Sequence, residues 1–261
     1  SWPKFPSFFH FHHFHFHQSA ATGVLGEPVE GNKYAIVIGI SDYPETANDL
    51  QYADDDAQLV ASILENQYSF NPANIYTFIN ASATAPAIYN QVEELKNKIN
   101  PDDELVFYFS GHGARGIAND GDNEIIDEAI VVNNKDNSNV EYLWDGQLKQ
   151  WFDNFPTSRL AFVFDSCLAG GMTDLAADGR VISMATRESG LFDSATEGQQ
   201  WGGGHGEFTY YFFIQGIEKS RADLNSKNGI VSNEEAFDYA KSNCQSDRPT
   251  ISDQFENDLV W

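Results

Sequence analysis

A chain of 261 residues with 15 Lys and Arg against 39 Asp and Glu carries a formal net charge of -24 at pH 7. That charge sets it against nucleic acid and anionic membranes and leaves cationic peptides as natural ligands, solubility in salty surroundings being the plainer reading. Two cysteines, Cys167 and Cys244, exclude a disulfide framework, and no apolar run reaches membrane-spanning length.

The length suits one α/β domain with a sizeable core. Beginning at Ser1 without a methionine, the chain is expected to have lost an upstream signal or pro-segment and to work in solution, cytoplasmic or secreted. Residues 1–31 differ in composition from the rest: His10, His12, His13, His15 and His17 are interleaved with Phe. In an extended backbone His13, His15 and His17 share one face opposite Phe14 and Phe16, and imidazoles at that spacing can share a transition metal. A flexible leader or pro-segment is the plainer reading, and the domain is expected over 32–261.

Lys33 to Ile40 reads as a buried strand, followed by a loop through Pro44. From Leu50 to Asn66 apolar residues recur at three- and four-residue spacings, predicting an amphipathic helix. Its first turns carry Asp54, Asp55 and Asp56, which the helix dipole favours. Asn74 to Asn80 predicts a second strand, and Ala85 to Ile99 a helix stopped by Asn100-Pro101. Leu105 to Phe109 then runs into Ser110-Gly111-His112-Gly113.

Beyond it, Asp120, Asp122, Asn123, Glu124, Asp127 and Glu128 form an acidic stretch without the full pattern of an EF-hand. Trp144 to Phe155 suits a helix. Leu160 to Phe164 is a third buried strand, delivering Asp165-Ser166-Cys167 and then small residues through Gly171 that allow a sharp turn. A short strand over Arg180 to Ala185, a long polar loop to Gly206 and a helix over Glu207 to Ile217 follow. Ser232 with Glu235 three positions on makes a capping box for a last helix to Asn243. The alternation of strands and helices predicts a mainly parallel sheet with right-handed crossovers.

Ligands gather at the carboxyl ends of such strands. Taken singly, Cys167 reads as a core thiol and His112 as a turn histidine. Together at matched strand ends they are the polar half of a cysteine hydrolase, in which a base makes the thiolate and backbone N–H groups hold the oxyanion.

Phe-Ser-Gly-His-Gly after one strand and Asp-Ser-Cys-x-x-Gly after the next resemble the caspase-like cysteine peptidases of peptidase family C14, above all the metacaspase and orthocaspase branch. The order and spacing agree, the histidine of caspases lying about 50 residues before the cysteine. Asp165 stands where animal caspases carry Gln. The resemblance implies a caspase-like three-layer α/β/α sandwich with a mainly parallel central sheet. It implies a Cys167–His112 dyad, with Gly113 and Cys167 N–H groups for the oxyanion. It puts Asp56 and Asp165 in a pocket for Arg, and then Lys, before the scissile bond, with Ser110 as a polar wall.

Metacaspases often require calcium, and Asp127, Asp145 and Asp174 fall near their acidic positions, one family carboxylate being replaced near Trp144. A solvated acidic surface is the alternative there. For the whole chain the expected partners are proteins or peptides with a basic residue before the cut; the alternative is a catalytically inactive caspase-like scaffold or binding domain.

Overall fold

The computed structural model describes residues 18–116, 127–187, 193–224 and 227–261. Three apolar runs form the centre of a six-stranded sheet: β1 (Lys33–Gly39), β3 (Glu104–Ser110) and β7 (Leu160–Asp165). Side chains alternate across a strand, and here both faces are covered. Ile36, Ile38, Phe107, Phe109, Phe162 and Phe164 belong to one apolar core, while Ala35, Val37, Val106, Tyr108, Ala161 and Val163 belong to the other. Such two-sided burial explains why these strands read as unbroken apolar runs.

The first core is closed by α2 (Ala85–Lys98) and α3 (Asp145–Phe152), the second by α1 (Ala53–Tyr68) and α5 (Asn233–Asn243). Between α1 and α2 runs β2 (Ile75–Ile79), an edge strand parallel to β1. Also in the second layer is α4, which begins as an α-turn over Glu207–Thr209 and continues as a π-helix over Tyr210–Glu218. The predicted three-layer α/β/α sandwich is therefore present. Its sheet order is β11-β8-β7-β3-β1-β2, with β8 at Val181–Met184 and β11 at Thr250–Asp253. All neighbours are parallel except β11, which pairs antiparallel with β8.

Several elements differ from the sequence reading. The helix predicted from Leu50 starts at Ala53, because Leu50 N–H donates to Ser41 O in a turn (2.8 Å). The segment after His112, read as an acidic loop, contributes β4 (Gly113–Gly116) and β5 (Asp127–Asn133), and with β6 (Val140–Trp144) these form a separate antiparallel sheet. Pairing, rather than residue pattern, creates β4: its register sets Gly113 opposite Ile130 and Gly116 opposite Asp127. The long loop before Gly206 contains a two-residue hairpin, β9 (Glu197–Gly198) with β10 (His205–Gly206). The capping box of Ser232 and Glu235 is formed as predicted.

The compositional boundary at 31/32 is not a structural one. Ala20 and Ala21 donate their N–H groups to the Asp238 carboxylate on α5 (2.7 and 2.9 Å), and Thr22 and Gly23 donate theirs to Asp258 (2.7 and 2.9 Å). The His/Phe stretch itself lies outside the described residues. At the amino ends of the strands, Arg159 Nε donates to Glu104 (2.9 Å), and its other nitrogens donate to Glu27 O and Val260 O (both 2.6 Å). One guanidinium thus joins the amino-terminal segment, the sheet and the carboxyl end.

Far from the strand carboxyl ends, Glu234 of α5 is buried, accepts from Leu259 N (2.7 Å) and lies near Asp253 of β11. Burial first, and Asp253 next, raise its carboxyl to about 10. A carboxyl so raised holds its proton when folded and releases it when unfolded, so stability declines as pH rises from about 4.5 towards 10. Glu234→Gln cannot ionise. It is expected to raise the melting temperature at pH 8 by about 2–4 °C, which is about 1 kcal/mol for a chain of this size, and to flatten the decline between pH 5 and 9. Calorimetric melting across that range checks it; a melting temperature lowered at every pH would mean that the ionised pair is stabilising.

Candidate active site

The carboxyl ends of β3 and β7 border a cavity of about 130 Å³. Its lining includes Asp56, Ser110, His112, Asp165 and Cys167, together with Leu50, Ala195, Glu197 and Gly206. Gly39 pairs with Ser110, and Ser110 with Asp165, so the three strands end in step. His112 and Cys167 each follow two residues beyond such an end.

His112 is held through both its ring and its backbone. Its Nε2 donates to Asn48 O at 2.6 Å. A carbonyl only accepts, so Nε2 carries the proton and Nδ1 is the basic nitrogen of the neutral ring. The backbone N–H of His112 donates to Tyr43 Oη (2.9 Å), which donates in turn to Val131 O (3.0 Å). The Tyr43 ring lies under the imidazole with centroids 5.0 Å apart. Burial raises the phenol well above its ordinary pKa, which keeps it a donor. Val131 N–H also donates to His112 O (2.9 Å), so β5 grips the histidine backbone directly.

Cys167 sits at a reversal of the chain. Leu168 takes a left-handed backbone with φ 58°, which costs a residue bearing a β-carbon about 1 kcal/mol. The sharp turn is therefore made at Leu168 rather than by the small residues that follow. Gly171 serves close approach instead, since a Cβ there would meet Glu128 Oε2 at 2.2 Å. The thiol donates to Ala195 O at 3.7 Å. Among the described residues it makes no hydrogen bond to the imidazole. Burial chiefly, with Asp165 and Asp247 adding to it, raises the thiol above its ordinary pKa. Gly113 runs against this turn: a Cβ at 113 would sit 1.8 Å from Cys167 O and 3.4 Å from its N. Only a glycine lets the two backbones lie side by side.

The far end of the cavity is acidic. Asp165 Oδ2 accepts from Thr209 N (3.1 Å) and Thr209 Oγ1 (2.6 Å) at the start of α4. Burial raises its carboxyl to about 7, with Asp56 and Glu197 contributing against the hydrogen bonds from Thr209. Asp56 accepts from His205 Nδ1 (2.6 Å) and from Gly206 N (2.7 Å). Burial raises its carboxyl too, opposed by those two donors. Glu197 accepts from Gln51 N (2.8 Å) and Tyr52 N (3.1 Å), tying the hairpin to the start of α1. Sequence reasoning named Asp56, Ser110, His112, Asp165 and Cys167, which one cavity brings together. It missed Asn48, Tyr43 and His205: a carbonyl leaves no signature in residue types, and Tyr43 and His205 come from loops whose path is set by tertiary contacts.

Asp127, Asp145 and Asp174 lie outside this cavity but feel one another. Asp127 and Asp145 are fully buried. Asp145 accepts from Gly146 N (2.7 Å), and its carboxyl is raised to about 9, by burial first, then Asp174 and, less, Asp127. Their hard oxygen donors suit calcium chemically. Among the described residues, however, no three His, Cys, Asp or Glu side chains converge to hold a metal ion. Asp120, Asp122, Asn123 and Glu124 lie outside the described residues.

A thiol held protonated alkylates slowly, because the thiolate is the nucleophile. Iodoacetamide labelling of Cys167, read by peptide mass, is expected to be slower at pH 7 than for a free cysteine and to climb about tenfold per pH unit up to pH 9. A rate already level at pH 7 would mean that the resting residue is a thiolate.

Among the described residues no helix is long and apolar enough to cross a membrane. A crystal structure of a protein from Geobacter sulfurreducens superposes with a TM-score of 0.60 over 85% of this chain and 93% of that one, at 14% identity, a likeness of fold alone. Metacaspase-4 of Arabidopsis thaliana is 30% identical over 154 residues, covering 56% of this chain and 35% of the relative. Metacaspase-1 of Schizosaccharomyces pombe is 28% identical over 155 residues, covering 56% and 36%. The chain thus spans about a third of the length of these curated relatives. Residues 33–176, which carry both His112 and Cys167, match the family described as "Metacaspase, peptidase C14 domain". The chain belongs to the metacaspase family of caspase-like cysteine peptidases.

Proposed function

We propose that this chain is a cysteine endopeptidase that cuts after Arg, and less readily after Lys, with Cys167 as nucleophile and His112 as its base. The observation that carries the reading is the sharing of one cavity by His112, Cys167, Asp56 and Asp165. An entering peptide displaces the thiol from Ala195 O. His112 Nδ1 takes the thiol proton, Sγ attacks the carbonyl carbon, and Asn48 O stabilises the imidazolium that forms.

The oxyanion meets the N–H groups of Gly113 and Cys167, each such donor being worth about 3 kcal/mol in the transition state. Nδ1 then returns its proton to the leaving amine, and a water activated by the same nitrogen releases the acyl group. A basic side chain lying past Cys167 finds Asp165 and Asp56, in a cleft where loss of one member of a buried charge pair costs about 2–5 kcal/mol. Lys is the weaker substrate because an ammonium cannot match a carboxylate with two parallel hydrogen bonds.

A second reading, a caspase-like domain that binds without cutting, draws on the protonated thiol and its lack of a bond to the imidazole. Turnover decides between them. On a fluorogenic panel with Arg, Lys, Asp or a neutral residue before the cut, Cys167→Ala and His112→Ala are each expected to abolish hydrolysis while the fold survives. Asp165→Asn is expected to lower kcat/KM for Arg at least about tenfold, or about 1.4 kcal/mol, and to affect a neutral residue much less. Preference for Asp before the cut would discard the acidic pocket, and no hydrolysis of any peptide would favour the binding domain.

Calcium enters this proposal only through the family resemblance at Asp127, Asp145 and Asp174, which do not by themselves converge on an ion among the described residues. A bound cation there would relieve their mutual repulsion and steady the neighbouring strands. Asp145, raised to about 9, holds a proton at neutral pH, so calcium binding is expected to release protons and to strengthen from pH 6.5 to 8.5. Activity is expected to rise with millimolar calcium, fall in chelator and lose this response in Asp145→Asn. Equal rates in both buffers and no heat of binding would leave the patch a structural acid cluster.

A further inference from the structure

Three of the contacts that hold His112 come from one loop, the connection between β1 and α1. Asn48 O accepts from Nε2 at the edge of the ring (2.6 Å), the Tyr43 ring lies against the imidazole at a tilt of 43°, and Tyr43 Oη accepts from the histidine N–H (2.9 Å). The loop is closed on itself. Tyr43 N–H donates to Asp49 Oδ1 (2.9 Å), while Asn48 N and Asp49 N donate to Glu45 O and Thr46 O (2.9 and 3.1 Å). Tyr43 and the Asn48 carbonyl are therefore carried by one tight turn.

The hydroxyl of Tyr43 joins two sheets at the histidine. The side chain is buried, and Oη, besides accepting from His112 N–H, donates to Val131 O of β5 (3.0 Å). Val131 N–H returns a bond to His112 O (2.9 Å), so both backbone groups of the histidine are fixed to β5, one of them through the phenol. Gly111 leaves the room for this: a Cβ there would lie 2.7 Å from Tyr43 Oη. We propose that Tyr43 is a positioning residue for the His112 base: its hydroxyl fixes the histidine backbone and its ring fixes the imidazole plane, so that with Nε2 on Asn48 O the other nitrogen is presented to the thiol. The inference rests on the Cys167–His112 reaction proposed above and adds the part that holds the base ready.

At rest the thiol cannot orient the ring, because Sγ is bonded to Ala195 O instead. The orientation has to come from the other side, where Tyr43 and Asn48 stand. A base displaced by a fraction of its reach loses much of its rate, since proton transfer and attack depend on near-attack geometry. Substrate binding is a separate matter. Among the described residues Tyr43 does not line the cavity that contains Asp56 and Asp165. Loss of its hydroxyl therefore acts on the chemical step and lowers kcat and kcat/KM together.

The test compares the full chain with Tyr43→Phe, which keeps the ring and removes the hydroxyl, at a temperature where melting curves show both fully folded. On a fluorogenic peptide with Arg before the cut, kcat is expected to fall at least about tenfold while KM stays within about twofold. Alkylation of Cys167 by iodoacetamide is expected to keep its wild-type rate within about twofold, because the hydroxyl acts on the base and not on the resting thiol. Should Tyr43→Phe fail to fold, Asp49→Ala, an exposed substitution that releases Tyr43 N–H, is expected to lower kcat at least about threefold with the same two controls unchanged. A wild-type kcat in the folded variant would make Tyr43 a structural tether and overturn the positioning role alone. A KM raised severalfold, or a severalfold faster alkylation, would mean a cavity loosened as a whole and would overturn it as well. No hydrolysis by the wild type would overturn the peptidase reading and this inference with it.

Discussion

Parallel strands whose last residues lie level put whatever follows them into one place. Gly39, Ser110 and Asp165 are in register across β1, β3 and β7. Because side chains alternate, a slip of one residue in β7 would exchange its two faces, sending Phe162 and Phe164 to the helix layer that now receives Ala161 and Val163. From β7 the large aromatic rings enter one core and the smaller residues the other, so its two faces could not be exchanged without voids on one side and clashes on the other. Packing thus fixes the register, and the register fixes the relation of His112 to Cys167.

The interior near this site is unusually rich in acids. Asp56, Asp165, Glu207 and Asp247 are all buried. Backbone donors satisfy much of the cost. Glu207 takes the N–H groups of Gln245, Ser246 and Asp247, the shortest at 2.7 Å, and Asp247 takes Thr196 N and Oγ1, both at 2.9 Å. These bonds lock the segment carrying Ala195 and the hairpin to the carboxyl-terminal part of the chain. Asp165 and Asp247 nevertheless remain raised to about 7 and about 8, largely by burial and, for Asp247, by the charge of Asp165. Neutral carboxyls are tolerated there at little cost, and a cation arriving beside them draws out their charge.

The residues visible in the sequence were those whose chemistry and position coincide. Leu160 to Cys167 announces a buried strand with a thiol beyond it, and Leu105 to His112 does the same for an imidazole. Asp56 was legible through its place in the family motif, since an acid in a first helical turn is otherwise ordinary. What escaped was made by tertiary pairing. β4 has the sequence Gly-Ala-Arg-Gly and becomes a strand because β5 lies alongside. β11 is recruited as an antiparallel edge by β8. The contact between Asn48 O and His112 joins residues 64 apart in sequence through a carbonyl, which every residue possesses. His205 lay in a polar loop, where nothing in its neighbours disclosed that the hairpin would carry it to Asp56.

The resting position of Cys167 has a consequence for oxidative damage. Peroxide attacks the thiolate, and the ladder from sulfenic to sulfonic acid begins with that species. A thiol that is half-buried, kept protonated and bonded to Ala195 O offers little of it. In the proposed reaction, the departure of Sγ from that carbonyl and the loss of its proton to His112 would create the nucleophile and the oxidisable sulfur in one event. On that reading an idle molecule is shielded, and sensitivity to oxidants rises with use.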